Sequence, residues 1–122
     1  MKKNSTVATN RNEIFNEPKL TIGLDLGDRF SHYCILDEAG NVILEHNLPT
    51  TPKGIDQVFS KIPRSRIALE TGTHSPWVSR QLTELGHEVI VAHARNVLLI
   101  GESSRGEDER VARTLGRLAR SY

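Results

Sequence analysis

Leu20-Thr21-Ile22-Gly23-Leu24-Asp25-Leu26-Gly27 alternates aliphatic residues with small or polar ones. Successive side chains of a β-strand point to opposite faces, so a period of two predicts a strand. Leu20, Ile22, Leu24 and Leu26 share one face, and Asp25 falls on the other. Upstream, residues 1–18 carry Lys2, Lys3 and four asparagines without sustained periodicity and end at Pro18, so a flexible tail is expected there and a folded domain over 19–122.

Downstream, Ser31 to Leu36 and Val42 to Leu48 flank Asp37-Glu38-Ala39-Gly40-Asn41, the pattern of a hairpin. With the first strand they make a three-stranded antiparallel meander. Thr51 before Pro52 is placed to cap a helix over Lys53 to Ile62, which Pro63 stops. Ser65 to Glu70 predicts a fourth strand. A helix opening at Ser75-Pro76 and closing at Gly86 follows, with Trp77, Val78, Leu82 and Leu85 as its apolar stripe. His87 to Ala92, with Val89, Ile90 and Val91 in succession, reads as a fifth strand covered on both faces. A last helix begins between Asn96 and Val111.

The chain has 122 residues, 37% hydrophobic and 25% charged, which is enough for one core and excludes a large multidomain enzyme. No apolar run approaches the roughly 18–20 residues of a membrane span, and the first residues lack an apolar export signal, so a soluble cytoplasmic protein without a membrane partner is expected. Cys34 is the only cysteine, which excludes an intrachain disulfide; a buried, inert thiol is expected. The net charge is +1, yet the basic excess lies in the second half and is almost all arginine. Arginine presents a planar fork suited to phosphate.

Three acids carry chemical weight: Asp25 in the first strand, Glu70 at the end of the fourth, and Asp108 at the start of the last helix. If the first and fourth strands are parallel neighbours, Asp25 and Glu70 meet near the carboxyl ends where α/β sheets bind ligands. Clustered carboxylates repel unless a cation neutralises them, and hard oxygen donors suit Mg²⁺ or Mn²⁺. Two such ions about 4 Å apart promote phosphodiester transfer. The alternative is that each acid is an ordinary surface charge.

The ordered wording around these acids is more specific than the acids alone. Ile22-Gly23-Leu24-Asp25-Leu26-Gly27, Ser31-His32, Leu36-Asp37-Glu38-Ala39-Gly40, Leu69-Glu70-Thr71-Gly72 with Trp77, Ser103-Ser104-Arg105 and Ala112 to Arg120 together resemble the amino-terminal DEDD domain of insertion sequence 110 family transposases. The resemblance spans about residues 20–120. It implies an α/β, ribonuclease H-like fold similar to RuvC: a mixed five-stranded sheet with helices on both faces. It also implies DNA as substrate, a structured guide RNA and further copies of the chain as partners, and Asp25, Glu70 and Asp108 as catalytic Mg²⁺ ligands. The family's fourth acid falls on Val111, and its members continue into a second domain with a serine nucleophile, so an amino-terminal part of a longer enzyme is expected.

Arg110, Arg113, Arg117 and Arg120 recur at steps of three, four and three, which aligns them on one helical face for nucleic-acid backbone contact. Opposite them Val111, Leu115 and Leu118 make the core-facing stripe. A solvated amphipathic face is the simpler reading of the same pattern. His32 and His74 follow the first and fourth strands and could approach the acids. Trp77 reads as a core anchor, and Gly23, Gly27 and Gly72 as close approaches or turns. The function expected is DNA binding and phosphodiester transfer in transposition. The alternatives are a non-catalytic nucleic-acid-binding remnant or assembly module, or a stand-alone nuclease.

Overall fold

The computed structural model describes residues 19–92 and 107–121, and residues 107–110 only by their place in a helix. The elements run β1 (Thr21–Asp25), β2 (Phe30–Leu36), β3 (Val42–Pro49), α1 (Pro52–Phe59), β4 (Arg66–Glu70), α2 (Ser75–Glu84), β5 (Glu88–Ala92) and α3 (Glu107–Arg120). The five strands form one mixed sheet in the order β3-β2-β1-β4-β5. β1, β2 and β3 are antiparallel neighbours, whereas β4 runs parallel to β1 and β5 parallel to β4. This is the expected meander followed by helix-linked parallel strands. The expected tail over 1–18 lies outside the described residues.

Local chemistry explains the joints. The Asp37 carboxylate accepts the amides of Ala39 and Asn41, both at 2.9 Å, and Gly40 takes φ +89°, the left-handed turn that glycine adopts without strain. Those amides hold the Asp37 carboxyl below its ordinary range, the bond from Asn41 most strongly. The Thr51 hydroxyl accepts the Gly54 amide at 2.9 Å and so caps α1, as its sequence predicts. The helix ends at Phe59, earlier than Pro63 alone would require, and Ile62 still packs on the core. Gly86, at φ +100°, turns the chain out of α2.

The sheet separates two different cores. On one face Ile22, Leu24, Tyr33, Ile35, Leu48, Ile67 and Leu69 meet Ile55 and Phe59 of α1 and Val78 and Leu82 of α2. Each large side chain fully buried there contributes about 1.5–3 kcal/mol. Trp77 packs at the edge of this core, as expected of an anchor. Buried His87 ties the layer together: Nδ1 accepts the Ser65 amide at 3.1 Å, and Nε2–H donates to the Phe59 carbonyl at 2.8 Å.

On the other face α3 lies against small residues. Ala68 meets Val111, Leu115 and Ala119, and Cys34 and Leu36 meet Ala112. A Cβ on Gly23 would stand 1.8 Å from the Ala112 carbonyl oxygen and 2.4 Å from the Gly116 nitrogen, so the absence of a side chain lets helix backbone touch strand backbone.

Two expectations are corrected in part. Among the described residues β5 is an edge strand that packs on both faces, Val89 on the core under α1 and α2 and Ile90 and Ala92 on that under α3, but the cover is partial and Val91 is 48% exposed. The core stripe of α3 is Val111, Ala112, Leu115 and Ala119, with Leu118 only partly buried. Gly72 has open space around it and no left-handed torsion, but it opens the expected turn into α2, where its carbonyl accepts the Ser75 amide at 3.2 Å and the Ser75 hydroxyl at 2.8 Å; Gly27 lies close to the Phe30 carbonyl.

Candidate metal and nucleic-acid site

Face and register locate the acids. Gly23 faces α3, so Asp25, two residues on in the same strand, has the same facing. Ala68 packs on α3, which gives Glu70 that facing too. Leu24 pairs with Leu69 across the parallel β1–β4 ladder, so Asp25 and Glu70 are the next step of the register at the carboxyl ends of both strands. Asp25 is 2% exposed and Glu70 is half-buried.

The direction of α3 brings in the third acid's position. Gly23 lies under Ala112 and Gly116, while Thr21, nearer the start of β1, shares a cleft with Arg120. The helix therefore runs against β1, and its first turn lies toward the end where β1 closes on Asp25. Asp108 occupies that turn, one turn ahead of Val111 and Ala112. Val111, where the family pattern has an acid, is fully buried in the apolar cluster with Ala68, Leu115 and Ala119.

The row of polar residues extends past the acids. His32 is the direct cross-strand partner of Asp25, and Asn47 that of His32. Cys34 packs on Ala112 and Glu45 pairs with Arg113, so His32 and Asn47, each two residues away along its strand, also face α3. Asn47, His32, Asp25 and Glu70 thus cross four strands as one row, with neighbouring Cβ atoms about 4.5–5.5 Å apart in an antiparallel pair. A cleft of about 250 Å³ opens beside the row, lined by His32, Glu45, Asn47 and Ala112 among others. Among the described residues no three His, Cys, Asp or Glu side chains are already drawn together as a cation cage. Asp25 and Glu70 nevertheless stand at two adjacent strand ends, and the first turn of α3, which carries Asp108, lies toward that end of β1.

The arginines of α3 are not equivalent. Arg113 makes a forked ion pair with Glu45 of β3 through Nε and Nη2. Arg120 donates to the Glu38 carbonyl at 3.3 and 3.1 Å, against the β2–β3 turn. Arg117 is exposed. The Arg110 side chain lies outside the described residues. Helical spacing predicted the alignment, but not the engagement of Arg113 and Arg120 with the meander.

His74 is turned elsewhere: its Nδ1 accepts the Trp77 indole N–H at 3.1 Å, and its Nε2 is 3.4 Å from an Asp28 carboxylate oxygen. Cys34 is fully buried as expected. Burial, helped by the Glu45 carboxylate, pushes its thiol up to about 11. The adjacency of His32 to Asp25 had an available signal, because a four-residue connection between two antiparallel strands constrains which residues face each other.

No protein-family model matches the chain, and no curated protein matches it. Among solved structures the chain is similar to RuvC of Thermus thermophilus, with a TM-score of 0.53 and 12% identity over 80% of this chain and 90% of that one. It is also similar to the ethanolamine utilization protein EutJ from Carboxydothermus hydrogenoformans, with a TM-score of 0.47, 13% identity and 70% of this chain covered. A ROK family glucokinase from Streptomyces griseus matches with a TM-score of 0.43, 17% identity and 66% of this chain covered. The chain spans 42% and 35% of the latter two. The likeness to RuvC, together with the mixed sheet order and the helices on both faces, identifies a ribonuclease H-like α/β fold.

Proposed function

We propose that this domain binds DNA and supports phosphodiester transfer as the amino-terminal, DEDD-type part of an insertion-sequence transposase. The observation that carries the reading is the meeting of Asp25 and Glu70 at adjacent parallel strand ends, on the face covered by α3. The ordered motifs that resemble the insertion sequence 110 family support the finer assignment. Asp25, Glu70 and Asp108 would hold Mg²⁺ or Mn²⁺. The ion would supply charge for an attacking hydroxyl and for the leaving oxygen of the phosphodiester. Arg117, and Arg110 earlier on the helix, would meet the nucleic-acid backbone, while Arg113 and Arg120 brace the helix that presents them. A structured guide RNA and further copies of the chain are the partners that the resemblance adds.

A second reading, a non-catalytic nucleic-acid-binding or assembly module, is favoured by one observation: Val111 is sealed in apolar contact where the family pattern has its fourth acid. Cleavage of linear and branched DNA by the purified chain, with and without Mg²⁺, separates the two. The leading reading expects Mg²⁺-dependent cleavage that is lost in Asp25→Asn. A parent that binds DNA without cutting it, and gains cutting in Val111→Asp, establishes the second. A chain that neither binds DNA nor cuts it in any form excludes both.

A further inference from the structure

We propose that Phe30 is a stacking platform for an unpaired nucleobase of the DNA strand whose phosphate lies at Asp25 and Glu70. This rests on the DNA-binding reading above.

Its ring differs from the other described aromatic side chains in where it is kept. Tyr33 and Phe59 are buried, and Trp77 packs on the core with its indole N–H donated to His74, whereas Phe30 is 57% exposed. Fraying does not account for that exposure, because the backbone on either side is pinned. The Arg29 carbonyl accepts the Thr50 amide at 2.8 Å, the Ser31 and Thr50 hydroxyls are bonded at 2.7 Å, and Phe30 is itself in register with Pro49. A Cβ on Gly27 would stand 2.3 Å from the Phe30 carbonyl oxygen, so β1's continuation also closes on this point. The fold thus holds an aromatic ring in water on a fixed stretch of chain.

Register says where that ring stands. Asp25 pairs with His32, and Phe30 lies two residues before His32 in β2, so it has the same facing and is the diagonal neighbour of Asp25. Diagonal positions in an antiparallel pair are about 7–8 Å apart, within reach of an aromatic side chain. Because β2 runs against β1, Phe30 falls past the end of β1, beyond the level of the buried carboxylate.

The position fits the chemistry of a nucleotide. A base is joined to its phosphate through one sugar, so a strand whose phosphate reaches the carboxylates brings a base to the rim beside them. An exposed phenyl ring offers that base a face to stack on, and such stacking is sequence-tolerant because every base has a π face. The ring carries no hydrogen-bonding group, so it detects an unstacked base without reading its identity. A base inside an intact duplex shows its faces only to its stacked neighbours, so the substrate at this point is a single strand or an opened duplex.

The test measures binding of the 122-residue chain to oligo(dT), to an abasic oligonucleotide of the same length and to duplex DNA by fluorescence anisotropy. Phe30→Ala should weaken oligo(dT) binding about five- to 150-fold, the range of one base–aromatic stack, with a melting temperature close to the parent's. Phe30→Leu, which keeps an apolar side chain, should also bind more weakly. The abasic chain should bind the parent and Phe30→Ala alike. Phe30→Trp should keep the affinity, and its added indole should be quenched by oligo(dT) beyond any change from Trp77, the parent's single tryptophan. Equal affinity of the parent and Phe30→Ala for oligo(dT), an equal loss with the abasic chain, or full affinity in Phe30→Leu overturns the stacking role and leaves DNA binding standing. So does a dependence on Phe30 found with oligo(U) and not with oligo(dT), or a parent that binds duplex DNA and not oligo(dT). A parent that binds neither form of DNA overturns the DNA-binding reading, and Phe30 with it.

Discussion

The two faces of the sheet solve opposite problems. Beneath α1 and α2 the layer is filled with large side chains, Phe59, Ile55, Leu24, Ile67 and Leu82 among those fully buried. Beneath α3 the layer is thin: Gly23, Ala68, Ala112 and Gly116 bring backbones close, and the row of polar residues begins where Gly23 gives way to Asp25. The large buried side chains are concentrated in the thick layer, and the candidate site lies in the thin one. A buried carboxylate is costly in a protein interior, so it is tolerated where another part of the fold supplies the free energy.

The comparison breaks most visibly on the thick side. Phe59→Ala removes a ring packed edge-on to Tyr33 at 5.6 Å and to His87 at 6.2 Å, and should cost about 3–5 kcal/mol in urea denaturation. At temperatures where that variant remains folded, Mn²⁺ binding should match the parent. On the thin side, Gly23→Ala drives a methyl group into the Ala112 carbonyl and should cost about 1–3 kcal/mol. Its distinguishing mark is local: amide hydrogen exchange should accelerate in α3 while α1 and α2 stay protected. Equal acceleration in all three helices would show that the layers unfold as one unit.

Smaller effects sharpen the contrast. Thr51→Ala deletes the α1 cap and should cost about 1 kcal/mol in thermal or chemical unfolding, with α3 exchange unchanged. Cys34, on the thin side, gives a pH signature. Its thiol titrates near 9.0 when unfolded but is pushed up to about 11 in the fold, first by burial and then by Glu45. The folded chain keeps that proton where the unfolded chain loses it. Stability from this group is therefore fully present below about pH 9 and is lost as pH rises through about 11. Denaturation midpoints across that window should fall less steeply in Cys34→Ala.

Much of this architecture is legible in the chain, because strands and helices announce themselves by period and punctuation. Asp25 opposite the leucines, the Asp37–Asn41 turn and the Thr51 cap all follow from nearest neighbours in sequence. What periodicity does not carry is which element sits at an edge. Val89, Ile90 and Val91 read alike, but among the described residues β5 has only one strand beside it, and Val91 is left half exposed. Nor does helical spacing reveal that Glu45, 68 residues before Arg113, holds that arginine. Of the site, Asp25 and Glu70 were legible because strand ends are. The pairing of Asp25 with His32 depends on strand register, which the four-residue connection between β1 and β2 constrains but periodicity alone does not fix.

The contact of Gly23 with the backbone of Ala112 and Gly116 has a mechanical consequence. Backbone touching backbone is already at its closest approach, so α3 cannot be pressed further toward the sheet, and rolling it would drive flanking side chains into β1. Translation along the helix axis is opposed by the Arg113–Glu45 ion pair and by the bonds from Arg120 to the Glu38 carbonyl. A slide of one residue is about 1.5 Å, and it would carry the first turn of α3 by that amount relative to the end of β1. Depth and axial position are thus fixed by different contacts, backbone against backbone for the first and two arginines for the second, and together they set where the first turn of α3 stands along β1.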